Sequence, residues 1–419
     1  MDSENRLKDK PLTLSLQTHL WIGIYWVQAS KIKLLAECFC IVEGFMIKII
    51  ADENIPALDE TFGRHGKLQR IDGRNVCRPD LSHADVLLVR SVTRVNADLL
   101  RGTNIRFVGS TTIGIDHLDT AWLEANNIAW AHAPGCNADA AAQYTLAMMW
   151  LACKRLQKNF RQQTVGIIGR GNVGQRLEHL LQVLDIPVMA CDPPLQDLGE
   201  ANLVSMHEAC ANNIISLHVP LTHTGKYPSK NLFGPEQLAK LNLGTLLVNA
   251  ARGGVIEATA LQAQLKSGRL HAALDVWPDE PFIAPELLAA VAVATPHVAG
   301  YSYEGKQAGT EMIYQAFCSA FACPRGAQPT IKTQVVTTDL SPTTSADEGV
   351  LSLLQSSCPV ARDDASLRAL CYLSHNGGLI QFDGLRTSYP QRHEFRSYLV
   401  TGATGTTASR LNRMGFQTD

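Results

Sequence analysis

The chain has 419 residues, 46% hydrophobic and 18% charged, the balance of an ordinary globular protein of two or three domains. A net charge of −2 at pH 7 provides no basic field for nucleic acid or for an anionic membrane surface. Eleven scattered cysteines with no CxxC pair argue against a disulfide framework and a metal site, and for a reducing, cytoplasmic setting.

Residues 1–45 differ in texture from the rest of the chain. They begin basic and turn semi-apolar, but Gln17 and His19 interrupt the stretch. It has no clean cleavage site and is too short and polar to span a bilayer. "MIKIIADENIP", opening at Met46 with an alternating, β-branched strand, is the better physical start. The leader is expected to lie outside the fold, either disordered or the product of an upstream start codon.

From Met46, "IKIIADE", "ADVLLVRS", "IRFVGST" and "IAWAHAP" read as buried strands ending in polar or turn residues, with helical patterns between them. That rhythm predicts a parallel sheet covered on both faces, with ligands gathering at the carboxyl ends of the strands. Ser91, Thr111 and Thr112 stand at such ends, where a hydroxyl serves equally as a ligand contact or as a helix cap. A long helix is predicted over 137–156, with Asn137 at its N-cap. A second series comes after it: "TVGIIGRGNVG", "PVMACDPP", "NIISLHVPL", "GTLLVNAARG", "HAALDVW" and "VAVATPHVAG", then a helix over 301–321. The expected architecture is α/β, with two Rossmann-like or flavodoxin-like parallel-sheet domains flanking a cleft. Residues 46–140, completed by 301–323, form a substrate-binding lid, and 141–300 form a nucleotide-binding domain. After Pro324 the texture turns rich in Pro, Thr, Ser and Gly, which predicts a linker over 324–345. A small α+β module over 346–419 is expected, with strands at "LIQFDG" and "RSYLVTG", a helix near "TTASRLNRMGF", and a role in dimerisation.

Gly169-Arg170-Gly171-Asn172-Val173-Gly174 directly follows an apolar strand and opens an amphipathic helix, and Asp192 ends the next strand. Gly169 permits the tight turn, Gly171 lets backbone amides approach a pyrophosphate, and Gly174 lets helix pack on strand. A carboxylate at Asp192 suits ribose hydroxyls and repels a 2′-phosphate. No Lys or Arg follows it in "DPPLQDLG", so NAD is favoured over NADP. Three further strand ends carry Arg252 in "NAARGG", Asp275 with Glu280 in "LDVWPDEP", and His297 in "ATPHVAGY". One histidine in an apolar run is usually a satisfied core residue. An arginine to grip a carboxylate, a histidine to take a hydroxyl proton and a glutamate to fix its tautomer, all on one rim, point to chemistry.

Together with "DENIP", "LLVRSVTRVNADLL", "FVGSTTIGIDHLD", "APGCNA" and "TPHVAGYSYEGK", these segments resemble the D-isomer-specific 2-hydroxyacid dehydrogenase family. The resemblance implies NAD-dependent oxidation of a small phosphorylated 2-hydroxy acid, with Arg252, Glu280 and His297 catalytic and His297 the proton carrier. It implies substrate contacts at Ser91, Thr112 and Tyr301. It further implies an NAD site lined by the glycine motif, including Asn172 and Val173, and by Asp192, Val219, Ala250, Ala251, Arg252, Asp275 and Gly300. "ARDDASLRAL" and the spacing from Phe382 to Glu394 resemble a dimerisation domain, hence a homodimer with no nucleic-acid or membrane partner. Arg90 and Arg94 beside Ser91 are candidate phosphate ligands, as is Arg362 from a partner subunit. A sibling dehydrogenase with a different pocket, or an NAD(H)-sensing binding protein, stays open as an alternative.

Overall fold

The computed structural model describes residues 46–325, 335–340, 346–373 and 378–419. The leader and part of the expected linker therefore lie outside the described residues. The first sheet holds β1 (Ile47–Asp52), β2 (Gly66–Ile71), β3 (Val86–Val89), β4 (Phe107–Ser110) and β5 (Ala129–His132) in the order β2-β1-β3-β4-β5. Every pairing is parallel. β2 is an addition to the four strands expected. Its sequence, GKLQRI, leaves every residue at least partly exposed, because an edge strand need not be apolar.

The second sheet holds β6 (Val165–Ile168), β7 (Val188–Cys191), β8 (Ile214–Leu217), β9 (Leu246–Asn249), β10 (His271–Leu274) and β11 (Val293–Ala294). Its order is β11-β10-β9-β8-β6-β7, again parallel throughout. β6, β8 and β9 are buried along their full length, which is why they read as largely apolar runs free of charge. Strand order reverses between β6 and β8, the switch point at which such sheets take ligands.

Helices Ala138–Arg155 and Tyr303–Ala320 connect the two sheets, as the sequence predicts. Asn137 occupies the N-cap of the first, but its side chain makes no capping bond; Ser302 caps the second, accepting from Gly305 N–H at 2.9 Å. Neither Ser91 nor the threonines cap a helix. That work falls to Asn96, which accepts from Leu99 N–H, and Asp119, which accepts from Trp122 N–H.

Two C-terminal expectations are corrected. The stretch expected as linker contains β12 (Val336–Asp339), which pairs in parallel with β13 (Tyr398–Thr401). β14 (Gln417–Thr418) completes that sheet. "LIQFDG" lies in a helix, Gly378–Thr387, and forms no strand. Phe382 and Leu385, one turn apart, both pack onto the core under the second sheet, and so short an apolar run cannot distinguish the two periods. The helix Gly405–Met414 and strand β13 stand where expected. The C-terminal module does not hang from a tether. Val350, Leu353, Leu354, Phe395, Leu411 and Phe416 share one buried cluster with Tyr144, Met148, Leu177 and Leu181 of the second domain. Among the described residues no helix is long and apolar enough to cross a membrane.

Candidate active site

The glycine motif turns from β6 into the helix Asn172–Val183. Gly169 has φ +94°, in the left-handed region that a side chain rarely adopts. A Cβ at Gly174 would stand 2.1 Å from Gly169 O, so helix and turn touch directly. A Cβ at Gly171, the N-cap of this helix, would meet nothing within 4 Å, so the turn is open at the end where a helix takes a pyrophosphate. Asn172 and Val173 form the first helical turn. The Asp192 carboxylate accepts from Arg170 N–H at 2.8 Å and Leu195 N–H at 3.1 Å, which fixes it beside the motif. The Arg170 guanidinium is engaged by Glu178 at 2.6 Å and Glu200 at 2.9 Å, so it offers nothing to a 2′-phosphate. Val219, Ala250 and Ala251 sit half-buried beyond β8 and β9 on the same rim. These residues fit a dinucleotide without the extra phosphate.

Beyond β10 and β11 a histidine and a carboxylate are paired. His297 Nδ1 lies 2.7 Å from Glu280 Oε2, and Glu280 Oε1 accepts Trp277 N–H at 2.7 Å. Burial pushes the Glu280 carboxyl up. The His297 ring, the Trp277 amide and the Arg386 guanidinium outweigh it and hold the carboxyl below its usual range. His297 has φ +57°, an uncommon conformation for a residue with a side chain, and the loop is pinned from two directions to keep it. From beneath, buried Asp275 accepts Thr295 Oγ1 at 2.6 Å and the amides of Val298 and Ala299 at 2.9 Å, while its carbonyl takes His297 N–H at 2.7 Å. From the C-terminal module, buried Arg392 donates to Ala299 O at 2.6 Å and Tyr301 O at 2.8 Å. Gly300 lies between these anchors, so close to Asn137 that a Cβ would stand 2.3 Å from its amide. Asp275 thus supports the site through the backbone it holds.

Arg252 stands past β9 on a turn held by Asn249, whose side chain bonds both Ala251 N–H and Arg252 O. Its Nε donates across the cleft to Asp116 Oδ2 at 2.9 Å. The guanidinium lies so near the first domain's backbone that a Cβ at Gly114 would sit 1.7 Å from Nη2. Both partners keep solvent access, 31% for Arg252 and 45% for Asp116, so a carboxylate ligand could exchange with Asp116.

On the first sheet's rim Ser91 is exposed. Thr112 is bound to Ser110 Oγ at 2.8 Å and to Gly114 O at 3.2 Å. Ser110 in turn meets His117, whose burial lowers its pKa to about 4. Tyr301 lies half-buried with its ring edge-on to Tyr389, 5.8 Å between centroids. Arg90 sits 3.0 Å from Asp52, and Arg94 is exposed. Arg362 is turned onto Asp363 of its own chain at 2.8 Å and lies over Tyr389. Sequence reasoning missed Asp116, Asn249, Arg392, Lys306 and Arg386. Only Asp116 carried a local signal, as an acidic residue in the loop after a buried strand.

Residues 135–299 match the family described as D-isomer specific 2-hydroxyacid dehydrogenase, NAD binding domain. The chain is 43% identical over 379 residues to an erythronate-4-phosphate dehydrogenase of Marinobacter nauticus, an alignment spanning 88% of this chain and 99% of that one. The chain belongs to the erythronate-4-phosphate dehydrogenase family. A member from Cellvibrio japonicus is 42% identical over 88% of this chain and 100% of its own length. The fold also matches an NAD+-bound 3-phosphoglycerate dehydrogenase of Entamoeba histolytica, at 21% identity and TM-score 0.59, over 69% of this chain and 99% of that one. The chain is therefore an NAD-dependent dehydrogenase of the 2-hydroxyacid class, with NAD its cofactor.

Proposed function

We propose that the protein oxidises 4-phospho-D-erythronate to 2-oxo-3-hydroxy-4-phosphobutanoate as a step of vitamin B6 biosynthesis. The observation that carries this is the His297–Glu280 pair at 2.7 Å on the rim that also presents Arg252 and the glycine motif. The names of the relatives supply the substrate. Arg252 grips the substrate carboxylate in place of Asp116. With Nδ1 committed to Glu280, His297 turns Nε2 to the C2 hydroxyl and takes its proton, and Glu280 stabilises the imidazolium that forms. Bound NAD supplies the hydride acceptor. Ser91, Thr112 and Tyr301 line the substrate side, and closure of the first domain over the second excludes water. The enzyme works in the cytoplasm as a homodimer joined through residues 346–419.

The test is steady-state turnover of protein starting at Met46, followed by nicotinamide absorbance, with 4-phospho-D-erythronate and 3-phospho-D-glycerate side by side. Preference for the four-carbon acid, abolished in His297→Ala, is expected. Turnover of the three-carbon acid alone would keep the chemistry and overturn the substrate. Silence on both with NAD still bound would leave a binding protein.

A further inference from the structure

Two cations face one aromatic ring beside the reactive histidine. Lys306 Nζ lies 5.0 Å from the centroid of Tyr301, and Arg386 Cζ lies 5.6 Å from the same centroid. Lys306 comes from the helix Tyr303–Ala320, and Arg386 from the C-terminal helix Gly378–Thr387. Arg386 is 15% exposed, and its Nε is buried without a hydrogen-bond partner among the described residues. Its nearest carboxylate is a loose one: Nη1 stands 3.8 Å from Asp383 Oδ1, an oxygen that Arg74 of the first domain holds at 2.7 Å. Lys306 has no carboxylate within 4 Å among the described residues. Burial lowers its pKa, and the nearby charge of Arg90 lowers it further.

Arg90 opposes Lys306, an exposed residue, and Arg386 buries a guanidinium nitrogen that no described group satisfies, which disfavours the arrangement as it stands. A compact dianion between them would settle both costs. The dinucleotide phosphates are not that dianion, because the helix at Gly171 provides for them. The carboxylate end of the substrate is not it either, because Arg252 provides for that.

The geometry points to Arg386 and Lys306, with Arg90 behind them, as the receptor for the substrate's terminal phosphomonoester, Tyr301 forming its floor. This inference rests on the proposed reading of the site and gives the C-terminal module a part in it: the module supplies a binding residue to the cleft of its own subunit. Arg386 and Lys306 then set specificity for a phosphorylated acid, and Arg386 bears on proton transfer only through the charge it presents to Glu280.

The test compares Arg386→Met and Lys306→Met with wild type on 4-phospho-D-erythronate and on unphosphorylated D-erythronate, and measures inorganic phosphate as a competitive inhibitor. Expected is a 10- to 100-fold rise in KM for the phosphorylated acid in both variants, with kcat within about threefold in Lys306→Met. Turnover of D-erythronate should be unchanged in Lys306→Met, and phosphate inhibition weakened in both variants. Arg386→Lys should recover part of the loss, which a misfolded variant would not do. Equal losses on both acids in Lys306→Met, or an unchanged KM in either variant with phosphate inhibition intact, would overturn the assignment. If wild type fails to turn over 4-phospho-D-erythronate, the substrate reading falls on its own. The phosphate site is then decided by whether inorganic phosphate raises the thermal midpoint of the NAD-loaded wild type but not of the two methionine variants.

Discussion

The two walls of the cleft differ in how completely their polar groups are satisfied. On the second sheet, Glu280, Asp275 and Arg392 spend their hydrogen bonds on holding His297 in a conformation that it would not choose alone. On the first sheet, Ser91 and Arg94 are exposed, and Asp116 makes one solvent-accessible ion pair. The wall to which we assign proton transfer is built in advance, and the wall to which we assign substrate recognition keeps groups free to exchange partners. That division suits a reaction whose chemistry is common to many acids and whose selectivity is particular to one.

The largest way to break the prearranged wall is to remove its proposed proton carrier. His297→Gln should reduce kcat by about 10²–10⁴-fold while NAD affinity, read by fluorescence titration, stays as in wild type. A drop of less than tenfold would mean that another group takes the proton. Arg392→Met attacks the same wall from behind. It leaves the carbonyls of Ala299 and Tyr301 unsatisfied, which should lower unfolding free energy by about 3 kcal/mol and reduce kcat together. Stability lost at constant kcat in denaturant titration would show that the loop holds its shape unaided.

Acid should strike both walls alike. Burial lowers His117 on one side and His218 on the other from the usual 6.5 to about 4. Between those values the unfolded chain binds protons that the folded one refuses, so stability is full above pH 6.5 and falls as pH drops toward 4. Each histidine contributes about 2 kcal/mol to that loss, after discounting for residual solvent access. Denaturation midpoints across this range should show the fall, and His117→Asn should flatten it. The smallest effect sharpens the contrast. Asp116→Asn removes the carboxylate that holds Arg252, so KM for the hydroxy acid should fall severalfold with kcat little changed. A rise in KM would show that Asp116 positions the guanidinium for substrate.

What the sequence disclosed obeys the same division. Gly169, Asp192, Arg252, Glu280 and His297 sit at strand ends, and their types and positions relative to neighbouring strands announce them. β6, β8 and β9 are legible because full burial leaves no charged residue in them. β2 is not, since an edge strand carries no such constraint. Arg392 and Arg386 act on loops more than 80 residues away in sequence, and no local pattern marks a side chain whose partners are backbone carbonyls or an aromatic ring. The helix at 378–387 reads as a strand because its apolar residues meet the second domain's core, which the segment alone cannot reveal.

The Arg74–Asp383 ion pair has a mechanical consequence. It joins the loop after β2 to the C-terminal helix, so any swing of the first domain away from the second must stretch it. An exposed pair of this kind restrains by roughly 1 kcal/mol or less, a tether light enough to part at each turnover. Asp383 is also the carboxylate nearest Arg386. One oxygen therefore stands between a cation of the first domain and a cation of the C-terminal helix, and a single negative charge is shared by the two modules.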